Sequence, residues 1–345
     1  MTSGPFASDS VWNLPIAVDA VFAGDDDPRN GAMHDTGDDG SGLVWVNSHR
    51  YSHPITFAGP DCPPATVVDV VNGGRWNDPI PSDARIAGGD DAHMHVVSAD
   101  RSRVHEYFGV TRMSPVFYEV RRRAVVPLRG PGIGPQQGVR AYGGSAIGGL
   151  IRRVEVDPAH PLHTGRIDHA LAVALRTDQL YMDRAAWSGD YGYYDSGELD
   201  VGRHPGWPTG TPANGFMRQT GYVWPATEQD YQSPTEYSGT IPMGSYFAIP
   251  GSVDVTALGI TTVQGLMLAR AAQQYGVYVT DASGAMAFYT EDDAGPATEF
   301  ADSLLSANDY TGRDPRIVFN ALRVVVNNTS VTPNGGPLGA PRLGD

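Results

Sequence analysis

At 345 residues the chain has room for one large or two modest domains, and with 41% hydrophobic and 18% charged residues it can bury a sizeable core. A net charge of −15, with 24 basic residues that are all arginine, repels a phosphate backbone and sets nucleic acid aside as a partner. The lone cysteine, Cys62, excludes an internal disulfide and a cysteine-rich zinc site, and no apolar run approaches the ~18 residues of a membrane helix.

Residues 5–16, PFASDSVWNLPI, read as an extended segment anchored by Trp12 and Ile16. Around it there is no basic leader and no apolar export core, Arg29 being the first basic residue. The expectation is either a leader already removed or exit from the cell by another route, such as on a virus particle. Residues 24–42 read as an acidic, glycine-rich loop, and its Asp25, Asp26, Asp27, Asp35, Asp38 and Asp39 lack the spacing of an EF-hand. Strand-like runs follow at Leu43–Val46, Ala65–Val71 and Ala84–Ala87.

The run HMHVVSADRSRVHEYFGV, residues 93–110, predicts a hairpin turning at Ala99–Ser102. His93, His95 and Val97 share one face by the two-residue period of a strand. Loop register decides which of His105 and Glu106 joins them, because a one-residue slip exchanges the faces. Pro115–Val126 reads as a further strand.

Gly138–Leu175 reads as the stretch the rest of the chain is built around: Gly143, Gly144, Gly148 and Gly149 predict a turn where backbones approach closely. Leu150–Val156 and Ile167–Leu175 read as strands flanking a polar loop that holds Pro158 and Pro161. The stretch is expected to form the seam between two layers of sheet, with Arg140, Asp168 and His169 beside it. Residues 177–242 are long, irregular and rich in aromatics, which predicts a functional loop insertion.

Thr261 with Gln264 makes a capping box, Val263, Leu266, Met267 and Ala271 follow at helical spacing, and Gly276 stops the helix. Val277–Thr280 and Ala285–Thr290 then read as a hairpin across Asp281–Gly284. A second helix is expected over Ala297–Ala307, a strand over Arg316–Val326, and a loop tail over 332–345. Glycine (42) and proline (27) are spread along the chain, as many turns between short strands require. The expected fold is mostly β: one domain over 1–345, an antiparallel β-sandwich of jelly-roll character with one or two flanking helices and the aromatic insertion.

Seven segments in this order carry a resemblance: SDSVWNLPI, GGDDAHMHVV, GVRAYGGSAIGGLIR, GRIDHALAVAL, GYVWPA, IPMGSYFAIP and AAQQYGVYVTD. With them the chain resembles an actinobacterial family of secreted proteins that also includes minor tail proteins of phages infecting mycobacteria and their relatives. The resemblance implies a β-sandwich with a packed helix and an envelope or virion setting. It transfers no catalytic residues, and the 177–220 stretch looks long for the family.

Chemistry is expected at three places. His93 and His95 point two imidazoles one way, which suits a divalent metal when another His or Glu joins; the alternative is a hydrogen-bonded pair, and the sequence requires no cofactor. Arg140, Tyr142, Asp168 and His169 supply what a polysaccharide lyase needs, a cation to neutralise a uronate and a base beside it. A glycosidase would instead draw two carboxylates from Glu106, Glu155 and Asp168; structural salt bridging is the alternative for all of these. Trp187, Tyr191, Tyr193, Tyr194, Trp207, Tyr222 and Trp224 could stack on sugar faces, meet another tail subunit, or simply pack the loop itself.

GGSAIGG lacks the order of a dinucleotide fingerprint and the Walker lysine, and no G-x-S-x-G elbow is present. Two functions stand open. One is a phage minor tail protein, in the virion tail, that binds envelope glycans of an actinobacterial host, with or without cleaving them. The other is a secreted polysaccharide lyase or glycoside hydrolase. In both, the partner is a cell-envelope polysaccharide, joined in the first by other tail proteins, with no membrane insertion.

Overall fold

The computed structural model describes residues 5–36, 44–48, 50–134, 137–183, 221–230, 233–292 and 313–344. In chain order the first strands are β1 (Val44–Asn47), β2 (Ile55–Phe57), β3 (Ala65–Asp69), β4 (Arg75–Asp78) and β5 (Met94–Val97). Then come β6 (Arg103–Phe108), β7 (Thr111–Ser114), β8 (Phe117–Val120), β9 (Arg122–Pro127) and β10 (Leu171–Arg176). The last are β11 (Tyr246–Ala248), β12 (Val277–Ser283), β13 (Met286–Tyr289) and β14 (Arg323–Val324). The helices are α1 (Pro28–His34), α2 (Arg153–Val156), α3 (Ser233–Glu236), α4 (Val263–Gln274) and α5 (Arg313–Ala321).

The chain is β-rich, as expected, and its strands form three mixed sheets, ordered β1-β13-β10-β12-β11-β14, β2-β5-β6-β9 and β4-β3-β8-β7. Parallel pairs (β1–β13, β10–β12, β2–β5, β3–β8) sit among antiparallel ones, so the pattern is not purely antiparallel. β10, Leu171-Ala-Val-Ala-Leu-Arg176, is buried along its first five residues, the apolar run of a strand covered on both faces. It lies between β12 and β13. The expected hairpin of those two strands is therefore opened: each pairs with β10, whose apolar run needs a neighbour on both edges.

The hairpin at 93–110 forms as predicted, and its register is settled: His95 faces Glu106 and Val96 faces His105. Glu106 thus shares the face of His93 and His95. That face meets the larger core with Val97 and Val104, while Met94, Val96 and Tyr107 on the other face enter a second, smaller core with Val67, Tyr118 and Val120. Trp12 and Ile16 are buried anchors, as expected.

Several predicted elements are corrected. The acidic loop contains α1, because Asp27 accepts from the Arg29 N–H as N-cap and Pro28 starts the first turn. Ala84–Ala87 is irregular. Pro115–Val126 divides at Arg121 into β8 and β9, which belong to different sheets. In Leu150–Val156 only Ile151 bridges, to Thr290, and the rest turns into α2, where Glu155 accepts from the Arg152 N–H. The strand predicted over Ile167–Leu175 begins at Leu171. Arg316–Val326 is mostly α5, whose Val318 and Phe319 are buried, followed by the two residues of β14. The helix of 261–276 forms with Thr262, not Thr261, as N-cap; its hydroxyl accepts from Gly265. The helix expected at 297–307 lies outside the described residues. No helix among the described residues is long and apolar enough to cross a membrane.

Candidate functional site

The site begins where β5 meets the end of β13. His93 and His95 enter the larger core from the hairpin, and His53 arrives from the segment before β2. That segment is tied down by three bonds: His53 N–H to Thr290 O (3.2 Å), Asp292 N–H to His53 O (3.2 Å), and Ser52 Oγ to Asp292 (2.8 Å). All three imidazoles are buried, and one nitrogen of each lies within 4.8 Å of the others. The ring centroids of His53 and His93 are 4.5 Å apart, those of His53 and His95 5.0 Å.

Arg140 closes this cluster from the glycine turn. Its Nη2 donates to His53 Nε2 (2.5 Å) and to Ala146 O (2.8 Å), and Nη1 reaches Asp281 (3.3 Å). The guanidinium lies 3.7 Å from the centre of the Tyr289 ring, whose hydroxyl donates to Asp281 (3.1 Å). Glu106 sets the turn: it accepts from Ser145 Oγ, from Ala146 N–H (3.0 Å) and from Val139 N–H (3.2 Å). The glycines are required by space at this point, since a Cβ on Gly138 would stand 1.9 Å from Gly144 O.

Asp281, bonded to Arg140, is half-buried, and so are Asp91 and Asp230. Burial and the neighbouring Asp281 carboxylate push Asp91 up to about 6. Asp230, whose carboxylate accepts from Tyr237 (2.8 Å), is raised well above the usual range by burial and by Asp281. Burial also raises Asp281, against the pull of Arg140 and Tyr289, which favour its charged form. Burial and Arg140 hold His53 well below the ordinary imidazole range and His95 at about 3; burial and His95 do the same to His93. The assembly therefore combines neutral imidazoles, one fixed cation and three carboxyl groups that burial raises, a setting suited to acid–base chemistry.

Of the residues expected to carry chemistry, Arg140, His93 and His95 come together here, and Glu106 stands behind the turn that positions Arg140. Tyr142 is fully buried, its hydroxyl bonded to Ser145 O (3.2 Å) and its ring edge-on to Trp12. Asp168 is half-buried and paired with the exposed Arg166 (2.5 Å). His169 is buried against Glu155 (3.2 Å) and Ala170 O (2.8 Å); burial works to raise Glu155, but His169 and Arg152 hold it below the usual carboxylate range. Trp224 is half-buried and packs on the larger core with Tyr222. Trp187, Tyr191, Tyr193, Tyr194 and Trp207 lie outside the described residues.

Sequence reasoning missed His53, Asp91, Asp230, Asp281 and Tyr289. Asp91 could have been found, since it stands two residues before His93. Asp281, a carboxylate closing the apolar run of β12, was assigned to a turn. His53 sits alone in YSHPI with no local signal. No protein-family model matches the chain, and neither does any curated protein or solved structure.

Proposed function

We propose that this chain engages a neutral glycan of an actinobacterial envelope as a minor tail protein, and that it cleaves the glycan by hydrolysis at Asp91, Asp230 and Asp281. The observation that carries the reading is the set of three half-buried carboxyls, one of them, Asp281, bonded to Arg140. Glycoside hydrolysis needs one protonated carboxyl as acid and one ionised carboxyl as base or nucleophile. In this reading Asp91, raised to about 6, supplies the first, and Asp281, bonded to the Arg140 guanidinium, the second. Three acids at the rim, on a chain of net charge −15, disfavour a uronate, so the lyase mechanism is the weaker of the two expected chemistries. A secreted glycoside hydrolase would use the same residues. The sandwich scaffold implied by the resemblance belongs to this reading, with the six-stranded sheet as one layer.

The test is incubation with arabinogalactan and, separately, with uronate polymers, reading reducing ends and the absorbance of unsaturated products. The expected result is reducing ends from the neutral polymer, lost at least about a hundredfold in Asp281→Asn. Unsaturated products from a uronate would overturn the hydrolytic reading. Neither release nor binding of any polymer would overturn glycan engagement.

A further inference from the structure

We propose that His53, His93 and His95 form a binding site for one divalent transition-metal ion, zinc being the best match to an all-imidazole donor set. The inference stands on the imidazoles alone and does not rest on the glycan reading.

Three observations carry it. First, the three rings converge from two separate segments, buried, with one nitrogen from each within 4.8 Å of the others. Second, His53 Nδ1 and His95 Nε2 are 3.4 Å apart, longer than a good hydrogen bond. Two nitrogens bound tetrahedrally at about 2.05 Å from one metal would stand about 3.4 Å apart. Third, His93 Nδ1 and His95 Nδ1 are buried polar atoms that complete no hydrogen bond.

Arg140 opposes the metal in a way that can be measured. In the structure its Nη2 donates to His53 Nε2, which places the His53 proton on Nδ1, facing His95. A metal held through Nδ1 requires that proton on Nε2 instead. The ring stays neutral and no net proton is released, but Arg140 must give up His53 and keep Ala146 O and Asp281. Metal and the Arg140–His53 bond therefore compete for one ring.

The experiment uses the full chain, stripped with chelator and titrated with Zn²⁺ by calorimetry and with Co²⁺ by visible absorption. One ion per chain is expected, with the intense bands of tetrahedral Co²⁺. His93→Ala and His95→Gln, checked for native circular dichroism, are expected to weaken binding more than about a hundredfold, and Arg140→Gln to tighten it about tenfold. No uptake by the wild-type chain would overturn the proposal, and this outcome does not depend on any variant folding. Uptake unchanged in folded His93→Ala and His95→Gln would overturn it too. Weaker binding in Arg140→Gln would overturn the assignment of His53 as a ligand.

Discussion

Glu228 shows what burial does to one charge. Its carboxyl is pushed up to about 7 by burial, against the pull of Arg122 at 2.7 Å. The folded value lies above the ordinary 4.5, so its contribution to stability is full below about pH 4.5 and is lost as pH rises through about 7. Glu228→Gln should remove that slope: between pH 4.5 and 8 the wild type loses on the order of 3 kcal/mol that the variant keeps, read as thermal midpoints across a pH series. Asp78 has the opposite sign. Burial works to raise it, but Arg123 (2.6 Å) and His105 (3.3 Å) hold it well below the carboxylate range, so its contribution fades only on the acid side. Asp91, raised to about 6, should also set the alkaline limb of the proposed hydrolysis. The rate is expected to fall above about pH 6 as that acid ionises, and in Asp91→Asn this limb should vanish together with most of the activity. Among the glycines, Gly149 has φ +68° and a Cβ there would meet Ala172 N at 2.6 Å, whereas Gly284 has open space. Gly149→Ala is expected to cost more than about 2 kcal/mol in chemical denaturation, and Gly284→Ala less than about 0.5. Glycine density announced this close approach in the sequence, though not which backbone would fill it.

The elements legible in the sequence were those with a local cause. Alternation placed β5 and β6, and Asp100, which accepts from Ser98 Oγ (2.6 Å) and Ser102 N–H (3.1 Å), shapes their turn. A threonine cap and helical spacing placed α4 to within a residue. The failures lie where a distant partner decides. Arg316–Val326 has enough β-branched residues to read as a strand, yet α5 forms because Val318 and Phe319 bury one face and Asp314 caps its neighbour. Asp314 accepts from the N–H groups of Thr261 (3.1 Å) and Thr262 (2.8 Å) and from the Thr262 hydroxyl (2.6 Å), doing for α4 what no residue within it can. Asp314→Ala removes this buried acceptor from donors that are themselves partly exposed. A loss of about 1–2 kcal/mol is expected by urea denaturation, with Asp314→Asn recovering part of it.

The candidate site was illegible at the scale of the whole molecule because it is assembled from His53, Asp91, His93, His95, Arg140, Asp230, Asp281 and Tyr289. Periodicity sees ten residues at a time, and the strand order that gathers these groups places β10 inside what reads as one hairpin. The same long-range wiring joins the two cores. β5 and β6 give one face to each: His95, Val97 and Val104 to the larger, Met94, Val96 and Tyr107 to the smaller. Tyr107 is fully buried and its hydroxyl donates to Asp78 (2.8 Å). Tyr107→Ala should therefore cost about 3–5 kcal/mol, a cavity plus an acceptor left without that donor. Because the hairpin is common to both cores, the loss is expected to reach both. Hydrogen exchange should accelerate together in β3 and β8 of the small core and in β10 of the large one, and calorimetry should keep a single transition. If β3 and β8 exchanged faster while β10 kept its protection, the hairpin would be a hinge between independently stable halves, and the imidazoles on its other face would survive loss of the smaller core.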